Sequence, residues 1–229
     1  MVKSIALIPA RGGSKRISNK NTKLFCGKPL LYYAIKEALG SNLFDTVAVS
    51  TDSEDIASVA IEYGAEILYM RSEKLSDDFT PLWEVTLDFL DHIKEEGYDY
   101  CCTLFCNPFL RRDSIKESLS KLRESDKDHC FSVRRLDYHP DRVFTLTDGV
   151  CTMPSPEKFN TRTQDLPVFY EEAAQFRWSK TDFSSPFSYD DNSIAFPIPE
   201  SLVCDIDTDD DWELAELKFS RLNTTISYD

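Results

Sequence analysis

Ile5-Ala6-Leu7-Ile8-Pro9-Ala10-Arg11-Gly12-Gly13-Ser14-Lys15-Arg16, continued by Asn19-Lys20-Asn21, decides how this chain is read. Residues 5–8 are an unbroken apolar run, the pattern of a strand buried on both faces. Two glycines, a serine and spaced cations follow at once. A strand that runs into such a loop presents backbone N–H groups and positive charge to an anion. Residues 1–30 hold seven Lys/Arg and no Asp or Glu, although the whole chain carries a formal charge of −14. The basic segment therefore marks a local anion site on an acidic protein. Gly12 and Gly13 permit unusual backbone angles and close approach to oxygen anions. Arg11, Lys15 and Lys20 supply point charges around a triphosphate. The spacing is neither GxxxxGK[ST] nor GxGxxG, and a surface turn with solvated cations is the competing reading.

Outward from this loop, strand and helix alternate. Residues 4–8 read as a strand and 29–39 as a helix ended by Gly40. Residues 46–50 read as a strand, 53–63 as a helix closed by Gly64, and 66–70 as a short strand. Residues 81–96 form a helical pattern, 98–105 a strong apolar strand and 114–122 a helix. Four repeats of this rhythm predict an α/β fold, a mostly parallel sheet with helices on both faces. From residue 130 the rhythm changes, with strands at 130–135, 143–146 and 150–153 around a turn at Asp148-Gly149. Residues 135–200 are expected to leave the sheet as an arm meeting a second subunit. Residues 207–220 close a single domain of 1–229 as a helix, capped by Thr208.

Composition narrows the class. The chain has 229 residues, 41% of them hydrophobic, enough for a sizeable core. No run reaches the roughly 18–20 apolar residues of a membrane span. No signal-peptide pattern opens the chain. Seven cysteines without a CxxC pair indicate neither a disulfide framework nor a zinc site. Cys101, Cys102 and Cys106 are expected as buried thiols in a reducing cytoplasm. The acidic balance opposes nucleic acid and anionic membranes as partners.

The loop, extended by Gly27-Lys28-Pro29-Leu30, Val49-Ser50-Thr51-Asp52, Arg71-Ser72, Leu75-Ser76-Asp77 and Asp205-Ile206-Asp207-Thr208, resembles the motifs of the acylneuraminate cytidylyltransferases. The stretch Asn160-Thr161-Arg162-Thr163-Gln164-Asp165-Leu166, with Tyr170 and Gln175-Phe176, looks most like the pseudaminic acid branch. The resemblance implies a nucleotide-diphospho-sugar transferase type fold with a dimerisation arm. It implies a homodimer that uses CTP, magnesium and an acidic nine-carbon sugar. The anomeric hydroxyl of that sugar would attack the α-phosphate and expel pyrophosphate.

On that resemblance Ala10, Arg11, Gly12, Gly13, Ser14, Lys15, Lys20, Asn21, Arg71 and Ser76 are expected at CTP. Arg11, Lys15, Lys20 and Asp207 are the expected catalytic residues. Asp205 and Asp207, two apart, share one face in extended backbone and suit one hard cation. Their competing role is to favour the N-terminus of the following helix. Arg71 is suited to the cytosine carbonyl. Asn160, Arg162 and Gln164 would share a face in a strand, Arg162 gripping the sugar carboxylate, with Asp165 and Gln175 nearby.

Two stretches depart from the family pattern. Leu104-Phe105-Cys106-Asn107-Pro108 replaces a polar run, and Ala173-Ala174 stands where relatives carry a small residue and glycine. Three readings follow: CMP transfer to pseudaminic acid, the same reaction on N-acetylneuraminic or legionaminic acid, or a nucleotide-binding relative without turnover. Nothing in the chain suggests a covalent nucleophile, so in-line displacement by positioning and electrostatics is the economical chemistry.

Overall fold

A computed structural model describes residues 2–225. Its first element is the expected strand, β1 (Ser4–Pro9). Ile5, Ala6, Leu7 and Ile8 are all fully buried, because alternate side chains meet helices on opposite faces of the sheet. A short hairpin, β2 (Leu24–Phe25) and β3 (Lys28–Pro29), leads into α1 (Leu30–Ser41). Then come β4 (Thr46–Ser50), α2 (Glu54–Glu62), α3 (Leu82–Ile93), β5 (Tyr100–Leu104) and α4 (Arg112–Arg123). Ala6 and Ile8 pack with Leu31, Ala34 and Ile35 of α1. Ile5 and Leu7 pack with Phe89 and Ile93 of α3. Each buried Ile or Leu contributes about 1.5–3 kcal/mol, so β1 anchors both layers.

The remaining elements are β6 (His129–Arg135), the hairpin β7 (Thr145–Thr147) and β8 (Val150–Thr152), then β9 (Tyr170–Lys180), β10 (Ser193–Pro197) and α5 (Asp209–Thr225). The main sheet has six strands in the order β10-β6-β9-β5-β1-β4. β1 pairs in parallel with β4 and β5, and β10 with β6. β9 runs antiparallel between β5 and β6. The sheet is thus mostly parallel with one reversed strand.

Three expectations are corrected. Residues 135–200 do not all leave the sheet: β9 is a central strand and β10 an edge. Only the β7–β8 hairpin and its flanking turns, with the 181–192 loop, stand outside it. The cue missed was Ala173 to Ser179, whose buried positions follow a bulged period rather than strict alternation. Residues 66–70 form no strand; Glu66 makes a single bridge to Ala48. Gly40 lies inside α1, which Asn42 ends in a left-handed conformation at φ 54°. Gly40 is instead a contact point: a Cβ there would sit 2.5 Å from Arg112 Nη1 and displace the guanidinium that pairs with Glu37 at 3.2 Å. Gly64 and the Asp148-Gly149 turn take the positive φ their sequence predicts.

β9 is bulged where it enters the sheet. Its register against β6 shifts between Phe131 and Val133, and Ala174 adopts φ 46°. Ser132, fully buried, accepts hydrogen bonds from the backbone N–H of Gln175 (3.1 Å) and Phe176 (3.2 Å). One hydroxyl thereby satisfies the two amides that the bulge takes out of the ladder.

Candidate active site

The cleft opens at the C-terminal ends of β1 and β5, the usual ligand position in an open α/β sheet. A cavity of about 210 Å³ is lined there by Pro9, Lys20, Asn21, Asn107, Ala174 and Asp205, among others. Besides the start of β9, three chain segments meet at it: the loop after β1, the turn after β5 and the run before α5. An aromatic cluster ties them together. Phe25 packs edge-on against Tyr33, Trp212 and Phe219 with centroids 5.4–5.6 Å apart, and Ile17 and Ile206 join the same buried cluster.

Ala10 continues β1 by donating its N–H to Ser50 O at 2.9 Å. Gly12 then donates its N–H to Asp52 Oδ1 at 2.9 Å. Neither Gly12 nor Gly13 has a positive φ, so the expected unusual angles are absent. Gly12 instead gives close approach, since a Cβ would lie a tight 3.1 Å from Ser53 Cβ. The left-handed residue of this loop is Asn19, at φ 51°. Asn21, nearly buried, donates Nδ2–H to Arg11 O at 3.1 Å and so holds the loop's far side.

The loop cations are partnered by acids. Arg11 Nη2 meets Asp78 Oδ1 at 2.7 Å, and Lys15 pairs with the other oxygen of Asp78. Hydrogen bonding from Lys15 holds the Asp78 carboxyl below its usual range, with Arg11 adding to it. Arg16 reaches Asp207 Oδ2 at 2.5 Å, and Lys20 lies 3.9 Å from Oδ1. Arg16 and Asp52 stand in the motifs quoted above without an assigned role, and Asp78 lies just outside them. The acidic pair Asp77-Asp78 beside Ser76 was the available signal.

Arg71 is buried, its side chain 3% exposed. Its Nε donates to Ser76 Oγ at 3.1 Å. Nη2 has no hydrogen-bond partner and lies 3.9 Å from Asp52 Oδ1. Burial pushes this guanidinium below its ordinary pKa, while Asp52 opposes the shift. A buried donor without a partner is costly, and an acceptor on a ligand would remove that cost.

Asp205 lines the cavity, and Asp207 stands within reach of Lys20. Ile206 between them is buried with Phe25 and Trp212, which anchors the run that carries both carboxylates. Among the described residues no group of three or more His, Cys, Asp or Glu forms a ready-made metal cage. Two hard oxygen donors still fit magnesium, which takes one or two carboxylates and completes its shell with phosphate oxygens and water. Thr208 caps α5: Asp211 N donates to its Oγ1 at 3.2 Å, and Asp211 Oδ2 accepts from Thr208 N at 2.8 Å. Dipole and cap roles therefore fall to Asp209, Asp210 and Asp211, leaving Asp205 outside them.

The Leu104–Pro108 departure from the family pattern has a clear location. Leu104 is fully buried in the main core, so an apolar residue there removes no polar group from this cleft. Asn107 is the polar residue that faces it, together with Cys106. Cys106 is half-buried rather than buried, unlike Cys101 and Cys102; desolvation pushes its thiol up to about 12, which leaves it neutral.

Asn160, Arg162, Gln164 and Asp165 are not brought to the cleft. Residues Thr163–Asp165 form a 3-10 turn, so the strand alternation expected for them does not exist. Arg162 caps that turn and pairs with Asp165 at 2.7 Å. Gln164 lines a separate small cavity with His139 and Phe169. The turn propensity of Thr-Gln-Asp competes with strand pairing, and no neighbouring strand is available. Gln175 is 1% exposed and sits behind the cavity wall, donating Nε2–H to Leu202 O at 2.7 Å.

Comparison with known proteins adds one decisive match: the cytidylyltransferase family model covers residues 5–221. The chain belongs to the cytidylyltransferase family. This cytidylyltransferase is 36% identical to a pseudaminic acid cytidylyltransferase of Campylobacter jejuni, over 95% of this chain and 97% of the relative. It is 32% identical to a CMP-N,N'-diacetyllegionaminic acid synthase of Legionella pneumophila, over 96% of this chain and 97% of the relative. A CMP:2-keto-3-deoxy-manno-octonic acid synthetase solved with CTP shares its fold. The TM-score is 0.69 at 16% identity, covering 96% of this chain and 99% of that one. The nucleotide-sugar cytidylyltransferase fold is thereby established, with the loop, Arg71 and the Asp205/Asp207 pair at one end of its sheet.

Proposed function

We propose that this cytidylyltransferase transfers CMP from CTP to the anomeric hydroxyl of a nonulosonic acid, pseudaminic acid first, with release of pyrophosphate. The observation that carries the reading is the convergence of Lys20, Asn21 and Asp205 on one cavity beside Arg11 and Lys15. Backbone amides and cations of the loop bind the triphosphate. Arg71 offers its unpartnered Nη2 to the cytosine carbonyl, with Ser76 fixing the guanidinium plane. The sugar hydroxyl forms its bond to the α-phosphorus as the bond to the bridging oxygen breaks, and its proton passes to solvent.

Magnesium, held by Asp205 and Asp207, would neutralise phosphate charge and stabilise the departing pyrophosphate. Arg16 and Lys20 occupy the Asp207 carboxylate when no nucleotide is bound and turn to phosphate oxygens when it is. The relatives of Campylobacter and Legionella support a nine-carbon acidic sugar, and the higher identity favours the pseudaminic branch. With Leu104 in the core, the reading of a protein without turnover loses the feature that supported it.

Two coarser elements belong to the same proposal. The exposed Phe144, Leu146, Val150 and Phe159 of the arm favour a homodimer, in which Arg162 would serve the neighbour's cleft. Seven free cysteines suit a reducing cytoplasm. Among the described residues no helix is long and apolar enough to cross a membrane.

The test is Asp207→Ala. It should retain CTP binding by calorimetry in chelator and lose at least ~10³-fold in CMP-sugar formation, as expected when several kcal/mol of charge stabilisation go. Undiminished turnover would remove Asp207 from the reaction.

A further inference from the structure

The run that carries Asp205 and Asp207 has no strand or helix to hold it. Its backbone oxygens must find partners elsewhere. Three successive carbonyls do so through side chains from three different elements. Leu202 O accepts from Gln175 Nε2 of β9 at 2.7 Å. Val203 O accepts from Lys218 Nζ of α5 at 2.5 Å. Cys204 O accepts from Asn107 Nδ2, after β5, at 3.2 Å. Lys218 also reaches Glu200 O at 3.1 Å, and its ammonium lies 5.5 Å from the Phe109 ring centroid. On the far side Asp211 Oδ2 accepts from Asp207 N at 3.1 Å. The two carboxylates thus sit between a three-point clamp and the helix cap.

We propose that Lys218, with Gln175, is a positioning residue for the metal-binding carboxylates. Neither side chain lines the cavity. Each acts through the backbone, fixing where the chain turns before Asp205. Metal affinity depends on such outer contacts, whose loss typically costs about 10–100-fold. The inference rests on the assignment of Asp205 and Asp207 to magnesium.

Calorimetric titration of CTP, once in chelator and once in excess Mg2+, isolates the metal's contribution as the ratio of the two affinities. In Lys218→Met, which keeps the apolar stem, CTP affinity in chelator should stay within twofold of wild type. The Mg2+ enhancement should fall about tenfold. Gln175→Met should behave alike, and Lys218→Arg, which retains a cationic donor, should keep most of the enhancement. Asp207→Asn is the reference for its loss. An enhancement unchanged within twofold in both methionine variants overturns the clamp, as does an equal weakening in chelator and in Mg2+. If Asp207→Asn itself keeps the enhancement, the metal assignment falls and this inference falls with it, a result distinct from the first.

Discussion

Arg11 and Asp78 form an ion pair of 2.7 Å across the mouth of the anion loop. The same carboxylate also takes Lys15, so one acid occupies two of the cations offered to a triphosphate. On the proposed binding mode it competes with a phosphate for both cations. Asp78→Asn is therefore expected to tighten CTP binding several-fold at low salt, less at high salt because exposed pairs are screened. Titration at two ionic strengths checks this; unchanged or weaker binding at both would make Asp78 a supporting residue instead.

Arg71 reads the base if its buried Nη2 is completed by cytosine. Arg71→Lys keeps the charge but loses the planar fork. CTP binding should weaken by about tenfold, and preference over ATP, whose base has no carbonyl, should drop, since leaving a buried donor unpaired costs about 1–3 kcal/mol. Competition binding of the two nucleotides measures both, and an undisturbed CTP/ATP ratio would place Arg71 away from the base.

Ala174 takes a conformation that suits glycine, at φ 46°. A residue with a Cβ in this region costs about 1–2 kcal/mol, and glycine returns about 0.5–1 kcal/mol of that through chain entropy. Ala174→Gly should raise stability by about 0.5–1 kcal/mol, or ~1–4 °C in Tm for a chain of this size. A lower Tm would show that the methyl group's packing at the cavity wall outweighs the strain.

His129 and Asp128 predict an acid-labile loop. His129 is fully buried, contacts Ser179 Oγ and Ser185 O at 2.9 Å each, and is pushed below its ordinary pKa by desolvation. The unfolded chain therefore binds a proton that the folded protein excludes, and stability falls as pH drops below about 6.5. Asp128 accepts from Ser184 N and Oγ and from Asn192, which hold its carboxyl well below the carboxylate range. Its contribution is complete above about pH 4 and is lost on further acidification. Urea unfolding from pH 7 to 3 should show both declines, and His129→Gln should abolish the first. A flat profile between pH 6.5 and 5 in the wild type would contradict the assignment to His129.

The central sheet was legible because its signals are local. The apolar run of β1, the closing Gly64 after α2 and the helical spacing of α3 each depend on neighbours a few residues away. The basic loop Ala10 to Lys15 and the spacing of Asp205 and Asp207 are local signals of the same kind. β9 was not legible, because its place between β5 and β6 is a long-range pairing and its bulge at Ala174 breaks the alternation that marks a strand. Asn160 to Asp165 misled in the opposite way: polar residues two apart match a strand face, yet no partner strand exists and the segment turns. Asp78 and Lys218 act through contacts across the fold that spacing alone does not encode.

Pyrophosphate release from CTP and Mg2+ tests the account most directly, with pseudaminic, N-acetylneuraminic and legionaminic acids run in parallel. The account predicts release with pseudaminic acid well above the other two, and none without sugar. Release with no nonulosonic acid, from protein shown to bind CTP, would contradict it.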